Sequence, residues 1–221
     1  VTRSGTAYDP GVLIESNARE AADLVGELTL LLDRVDKSDQ TLAGARLVTR
    51  RIADRLGQIV WLRRVEAGGT RVESDAWSPI ELIEELEEEA GSLAGGRIAI
   101  ERQVPEVLPQ YWFFDRDLAA ATLRNALHSA LVYARERVTL GLATRDGWLG
   151  FSVEDDGGAF PQHLLVPDAA AEEPERCNGN ALGILFARVA ADAHRNGARA
   201  GRVELANRAD GPGTRFVLWL P

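Results

Sequence analysis

Trp148-Leu-Gly-Phe-Ser-Val-Glu-Asp-Asp-Gly-Gly-Ala-Phe-Pro161 runs from a strand-like stretch straight into two acids and a pair of glycines. Trp148 to Glu154 and Arg137 to Thr144 flank Asp146-Gly147, a strong two-residue turn signal, so the two runs read as a β-hairpin. Past Glu154 the chain turns at Asp155-Asp156-Gly157, leaving a carboxylate at the end of a strand.

Outward from this hairpin, helices and short strands alternate. Asp115 caps an amphipathic helix that runs to about Ala134, and Ala181 to His194 is a second helix. Arg202 to Asn207 and Arg215 to Leu220 pair around Gly211-Pro212-Gly213. Arg97 to Arg102 reads as a strand, and Tyr111 to Phe114 as a short one whose Trp112, Phe113 and Phe114 belong to the core. Ser78-Pro79-Ile80-Glu81 has the form of a capping box with proline at the first helical position. The helix it opens, up to about Leu93, is expected to bury Ile80, Ile83 and Leu86. Its acid run Glu84, Glu85, Glu87, Glu88 and Glu89 reads as a solvated face. Helices with mainly antiparallel strands in this order imply a two-layer α/β sandwich.

The amino-terminal third is different. Leu24, Leu28, Leu31 and Val35 step by four, three and four, and Leu42, Ala45, Thr49, Ile52, Leu56 and Ile59 resume that spacing after Lys37-Ser38-Asp39-Gln40. Two such helices joined by a polar turn make an antiparallel hairpin. Leu30, Leu32, Leu47, Val48, Val60, Trp61 and Leu62 lie beside the seams as surplus apolar surface. Pairing two hairpins into a four-helix bundle would cover that surplus, which predicts a homodimer. The alternative is a hairpin packed on its own second domain. Gly68-Gly69 ends the second helix. The expected organisation is α+β, a helical-hairpin dimerisation domain over 1–68 and a sandwich domain over 74–221.

At 221 residues and 45% hydrophobic, the chain has ample material for a core. No apolar run approaches the roughly 18 residues needed to cross a bilayer, and no basic-then-apolar leader directs export. The lone Cys177 excludes an internal disulfide and fits a reducing compartment. The net charge is −9. Residues 1–67 balance ten basic against ten acidic side chains, so the deficit lies in the remainder, with 15 against 24. An acidic second part argues against nucleic acid as a partner, and any anionic ligand there must be held by local geometry.

Four segments resemble, in order and spacing, the nucleotide-binding boxes of the histidine kinase branch of the GHKL ATPases. Thr122-Leu-Arg-Asn-Ala-Leu-His-Ser-Ala-Leu-Val-Tyr-Ala134 resembles the helix called the N box, and Val153 to Pro161 the first glycine box. Gly179-Asn-Ala-Leu-Gly-Ile184 resembles the second glycine box, and Gly213 to Pro221 the closing strand. Leu62-Arg-Arg-Val-Glu-Ala-Gly68 resembles the end of the kinase dimerisation hairpin. The resemblance implies a GHKL-type sandwich behind a helical hairpin, in a cytoplasmic bacterial protein of two-component signalling. It further implies ATP or ADP with Mg²⁺, bound by Asn125 and Ser129 of the N box, Asp155 and Thr214 on the adenine side, and Gly157, Gly179 and Gly183. Glycines permit close backbone approach to phosphate, and a helix amino end near Leu182 would face it. A response regulator would dock low on the hairpin, near Arg19, Asp23 and Glu27.

The sequence departs from that pattern at several points. Its histidines are His128, His163 and His194, so none falls where the hairpin of a kinase carries its phosphoacceptor, near Glu15, Ser16 or Asn17. Ser129 replaces the second N-box amide, which weakens a magnesium seat centred on Asn125. Val132 replaces a basic phosphate partner, and Ala159 and Ala181 replace glycines. The expected lid, 162–178, carries Asp168, Glu172, Glu173 and Glu175 against Arg176 alone. Histidines 128 and 163 read as structural or surface residues, and His194 as facing the carboxy-terminal end of its helix. Two functions remain in view. One is a signalling protein without kinase activity that dimerises and docks a response regulator or sensor kinase. The other is an atypical kinase or ATPase that phosphorylates another residue or a partner.

Overall fold

The computed structural model describes residues 39–66, 71–165, 181–209 and 211–221, together with the helical positions Glu20, Ala21, Leu24 and Leu28. Helix α1 spans Asp39–Glu66. Strand β1 (Asp75–Trp77) leads into helix α2 (Pro79–Ala94), followed by strands β2 (Ala99–Gln103) and β3 (Trp112–Phe114). Helix α3 covers Arg116–Tyr133, and strands β4 (Arg137–Arg145) and β5 (Trp148–Asp155) follow. A short helix α4 (Gln162–Leu165) and helix α5 (Ala181–Ala193) precede the small strands β6 (Arg195–Asn196) and β7 (Arg199–Ala200). Strands β8 (Arg202–Asn207) and β9 (Thr214–Leu220) complete the described elements.

The main sheet has five strands in the order β2-β4-β5-β9-β8. Strand β2 is parallel to β4 and every other neighbour is antiparallel, so the sheet is mixed. The β4–β5 hairpin closes at Asp146 and Gly147, with φ of 53° and 75°, the left-handed pair a two-residue hairpin turn needs. Helices α2, α3 and α5 lie against the sheet, making an α+β sandwich. Val138, Leu140, Leu149, Phe151, Phe216 and Leu218 from the strands meet Leu82, Ile83, Leu86, Leu123 and Leu127 from the helices in one core.

Helix ends follow their sequence signals. The Ser78 hydroxyl accepts from the Glu81 amide and Pro79 opens α2, while Gly95 terminates it in the left-handed region at φ 57°. Asp115 accepts from the Leu118 amide at the start of α3.

Four expectations change. Strand β3 pairs only with β1, as a separate two-stranded ribbon, so Phe114 is buried but Phe113 is 70% exposed rather than core. The acid run of α2 is not simply solvated: Glu85 pairs with Arg116 and Arg124, Glu89 with Arg124, and Glu84 and Glu87 with Arg102. Ile80 is half-buried, and Leu82 takes the deeper place beside Ile83 and Leu86. Helix α1 packs on α2, α3 and α5 of the same chain. Leu47 joins the main core, and Trp61 and Leu62 pack on Leu118, Phe186 and Ala190. Part of the surplus that pointed to a partner is therefore covered internally, while Leu56 and Val60 stay about half exposed.

Candidate functional site

Helix α3 presents Asn125, His128 and Ser129 to one side because residues three and four apart share a helix face. That side meets α1. Gln58 of α1 is buried, and its amide nitrogen donates to Oδ1 of Asn125 at 3.0 Å. Behind it Arg55, also buried, donates to the Gln58 amide oxygen and pairs with Glu20 at 3.3 Å. Ser129 borders a void of about 10 Å³ with Arg51, Asp54, Arg55, Asn125 and His128. That volume is about the size of one water molecule. The amide oxygen that would serve a magnesium ion thus accepts a hydrogen bond from α1. Among the described residues no group of three histidine, cysteine or acidic side chains converges as a metal site. Asn125 keeps one lone pair for a magnesium ion and Ser129 offers only a hydroxyl, a weak seat at most.

His128 is buried between two carboxylates. Its Nδ1 lies 2.6 Å from Oδ2 of Asp54 on α1, and its Nε2 3.3 Å from Oε1 of Glu89 on α2. Both nitrogens donate, which is the pattern of an imidazolium. Burial pushes its pKa down, but the hydrogen bonds to Asp54 and Glu89 and their charges prevail, holding it above the ordinary value. Glu89 shows the reciprocal effect. The His128 hydrogen bond, opposed by burial and reinforced by Arg124, lowers its pKa to about 2. The row continues through Arg124, Glu85 and Arg116, tying α1, α2 and α3 together. Val132, in place of a basic residue, packs against the main core.

The residues expected on the adenine side come together at the end of β5. Asp155 is buried, its Oδ1 accepting from the Gly157 amide at 2.8 Å and its Oδ2 from the Thr214 hydroxyl. Asp156 accepts from the Arg135 and Glu136 amides, pinning the turn to the end of α3. The glycines have local reasons to be there. A methyl group on Gly157 would overlap the Tyr133 carbonyl, and one on Gly183 would overlap the Asn125 amide. Gly183 therefore brings α5 against the N-box side chain itself. Ala181 opens α5.

His194 follows α5 and is buried. Its Nδ1 donates to the Ala190 carbonyl at 2.8 Å and its Nε2 accepts from the Asp115 amide at 3.1 Å, so it joins two helix ends. Gly179, Arg19, Asp23, Glu27, Cys177 and all of the expected lid beyond Leu165 lie outside the described residues, as does the side chain of His163.

Sequence reasoning missed Asp54, Arg55 and Gln58. Their signal is a polar stripe, Arg51, Asp54, Arg55 and Gln58, stepping by three and four within α1 beside its apolar seam. Also missed were β1 and the β6–β7 pair, which are too short to show a period.

No family model matches the chain, and no curated protein sequence does either. Solved structures do. The Acinetobacter baumannii histidine kinase AdeS aligns over 90% of this chain and 93% of its own, with a TM-score of 0.60 at 15% identity. Full-length ShkA in complex with AMPPNP aligns over 96% of this chain and 46% of its own, with a TM-score of 0.61 at 21% identity. The nucleotide-free catalytic domain of histidine kinase ThkA aligns over 67% of this chain and 95% of its own, at 0.53 and 18%. The described chain thus has the fold of a histidine kinase core. No described helix is long and apolar enough to cross a membrane.

Proposed function

We propose that this chain is a two-component-type signalling protein built on a histidine kinase core, that it does not turn over ATP, and that it acts by dimerising and docking a response regulator or a kinase partner. The single observation that carries the loss of catalysis is the commitment of Asn125. Its amide oxygen already accepts from Gln58, which leaves one lone pair, and its side chain sits against Gly183, so a nucleotide's metal would have to compete for it. Ser129, Val132 and the absence of any histidine in residues 1–67 support the same reading. Two units, 1–68 and 74–221, are part of this proposal, with docking on the first near Arg19, Asp23 and Glu27.

One observation favours a second reading. Buried Asp155 and Gly157 and half-buried Thr214 form a hydrogen-bonded cluster, so an adenine ring retains a partner. On that reading the chain binds Mg-ATP and phosphorylates a non-standard residue or a partner.

Calorimetric titration with Mg-ATP, followed by incubation with radiolabelled ATP, separates the two. The first reading expects no label on any protein, and weak binding at most. Label transferred to the chain or to an added response regulator overturns it.

A further inference from the structure

We infer that the groove between α1, β1 and the amino end of α3 binds a small organic cation, an amine or guanidine carried on a flat apolar body. The groove encloses about 760 Å³, within the range of small-molecule sites. It lies apart from the Asp155–Thr214 cluster, none of whose residues lines it.

The groove exists because small residues face it. α1 offers Ala53 and Gly57, and α3 offers Ala121. Gly57 stands deep inside the 28-residue helix α1, where glycine is unfavourable relative to alanine. Its φ is not positive, and a methyl group there would meet nothing within 4 Å. Neither backbone geometry nor packing demands the glycine. What it leaves is room.

The walls are aromatic. Trp61 is held edge-to-face on Phe186 at 5.2 Å, which fixes the inner wall. Trp77, 40% exposed, forms the outer one. Its indole already receives a cation, since the Arg116 guanidinium lies 5.8 Å from the ring centroid.

The charge of the lining selects the sign of the ligand. Asp54 is engaged by His128, and Asp115 by the Leu118 and Glu73 amides. Glu73, Glu81 and Asp117 have no side-chain hydrogen bond or ion pair among the described residues, against one comparably uncommitted cation, Arg71. A positive group seated among them gains those carboxylates while its apolar body covers the indoles.

The test uses the full chain with phenethylamine as the cationic probe and 2-phenylethanol as its neutral counterpart, followed by tryptophan fluorescence and calorimetry. The amine is expected to bind saturably and at least about tenfold more tightly than the alcohol. Gly57→Leu fills the groove and is expected to abolish binding with an unchanged circular dichroism spectrum. Glu81→Gln with Asp117→Asn, both at exposed positions, is expected to erase the preference for the amine. Equal affinity for amine and alcohol overturns the inference, as does undiminished binding to folded Gly57→Leu. No saturable binding below about 10 mM also overturns it.

Discussion

Nδ1 of His128 lies 2.6 Å from Oδ2 of Asp54, so α3 is ion-paired to α1, the helix that precedes the sandwich. The histidine is buried and the aspartate partly so, which makes the pair sensitive to loss of either member.

Asp54→Asn is expected to cost about 1–3 kcal/mol at pH 6, the range for a pair buried at one end and partly exposed at the other. The pKa of folded His128 is raised above its unfolded value. Its contribution is therefore fully present below about pH 6.5 and lost as pH rises through the folded value. Urea denaturation from pH 6 to 9 is expected to show wild-type stability converging on that of Asp54→Asn. A constant gap across that range contradicts the pairing.

Glu89 gives the opposite sign. Its pKa falls from an ordinary 4.5 to about 2, chiefly through the His128 hydrogen bond. The stabilisation is present above about 4.5 and disappears as pH falls through about 2, and it is worth on the order of 3 kcal/mol. The stability difference between wild type and Glu89→Gln, measured by denaturant titration, should shrink steadily from pH 5 toward pH 2.

Gly157→Ala places a methyl group onto the Tyr133 backbone carbonyl. A backbone atom cannot rotate away, so a loss of about 2 kcal/mol or more is expected, with or without nucleotide. If thermal unfolding shows the variant as stable as wild type without ligand, the glycine is kept for phosphate rather than for packing.

Leu56 and Val60 are 53% and 52% exposed on α1 and lie one turn apart, apolar surface that a second copy would cover in the proposed dimer. Light scattering of the wild type is expected to give a dimer, and Leu56→Arg with Val60→Arg a monomer. A monomeric wild type at micromolar concentration would sink the homodimer.

Much of the sandwich was legible because its signals are local. Asp146-Gly147 marks a hairpin whatever surrounds it, and Ser78-Pro79 opens a helix by satisfying its own first turn. The resemblance to the kinase boxes grouped Asp155, Gly157 and Thr214, and the Asp155 carboxylate does bond both the Gly157 amide and the Thr214 hydroxyl. The acid run of α2 misled, because its basic partners Arg102, Arg116 and Arg124 lie 15 or more positions further along the chain. Phe113 misled for a related reason. A three-residue strand does not announce which sheet it will join.

The amino-acid sequence by itself determined the order of the longer helices and strands, the turns between them, and the absence of histidine from residues 1–67. Each depends on residues close together or on plain composition. Tertiary structure alone decided that α1 lies on the N-box face, where Gln58 reaches Asn125 across 67 positions and Asp54 reaches His128 across 74. The physical reason is that α1 carries both an apolar seam and a polar stripe. Which of them turns inward depends on the partners the sandwich offers, and those partners exist only once it has folded.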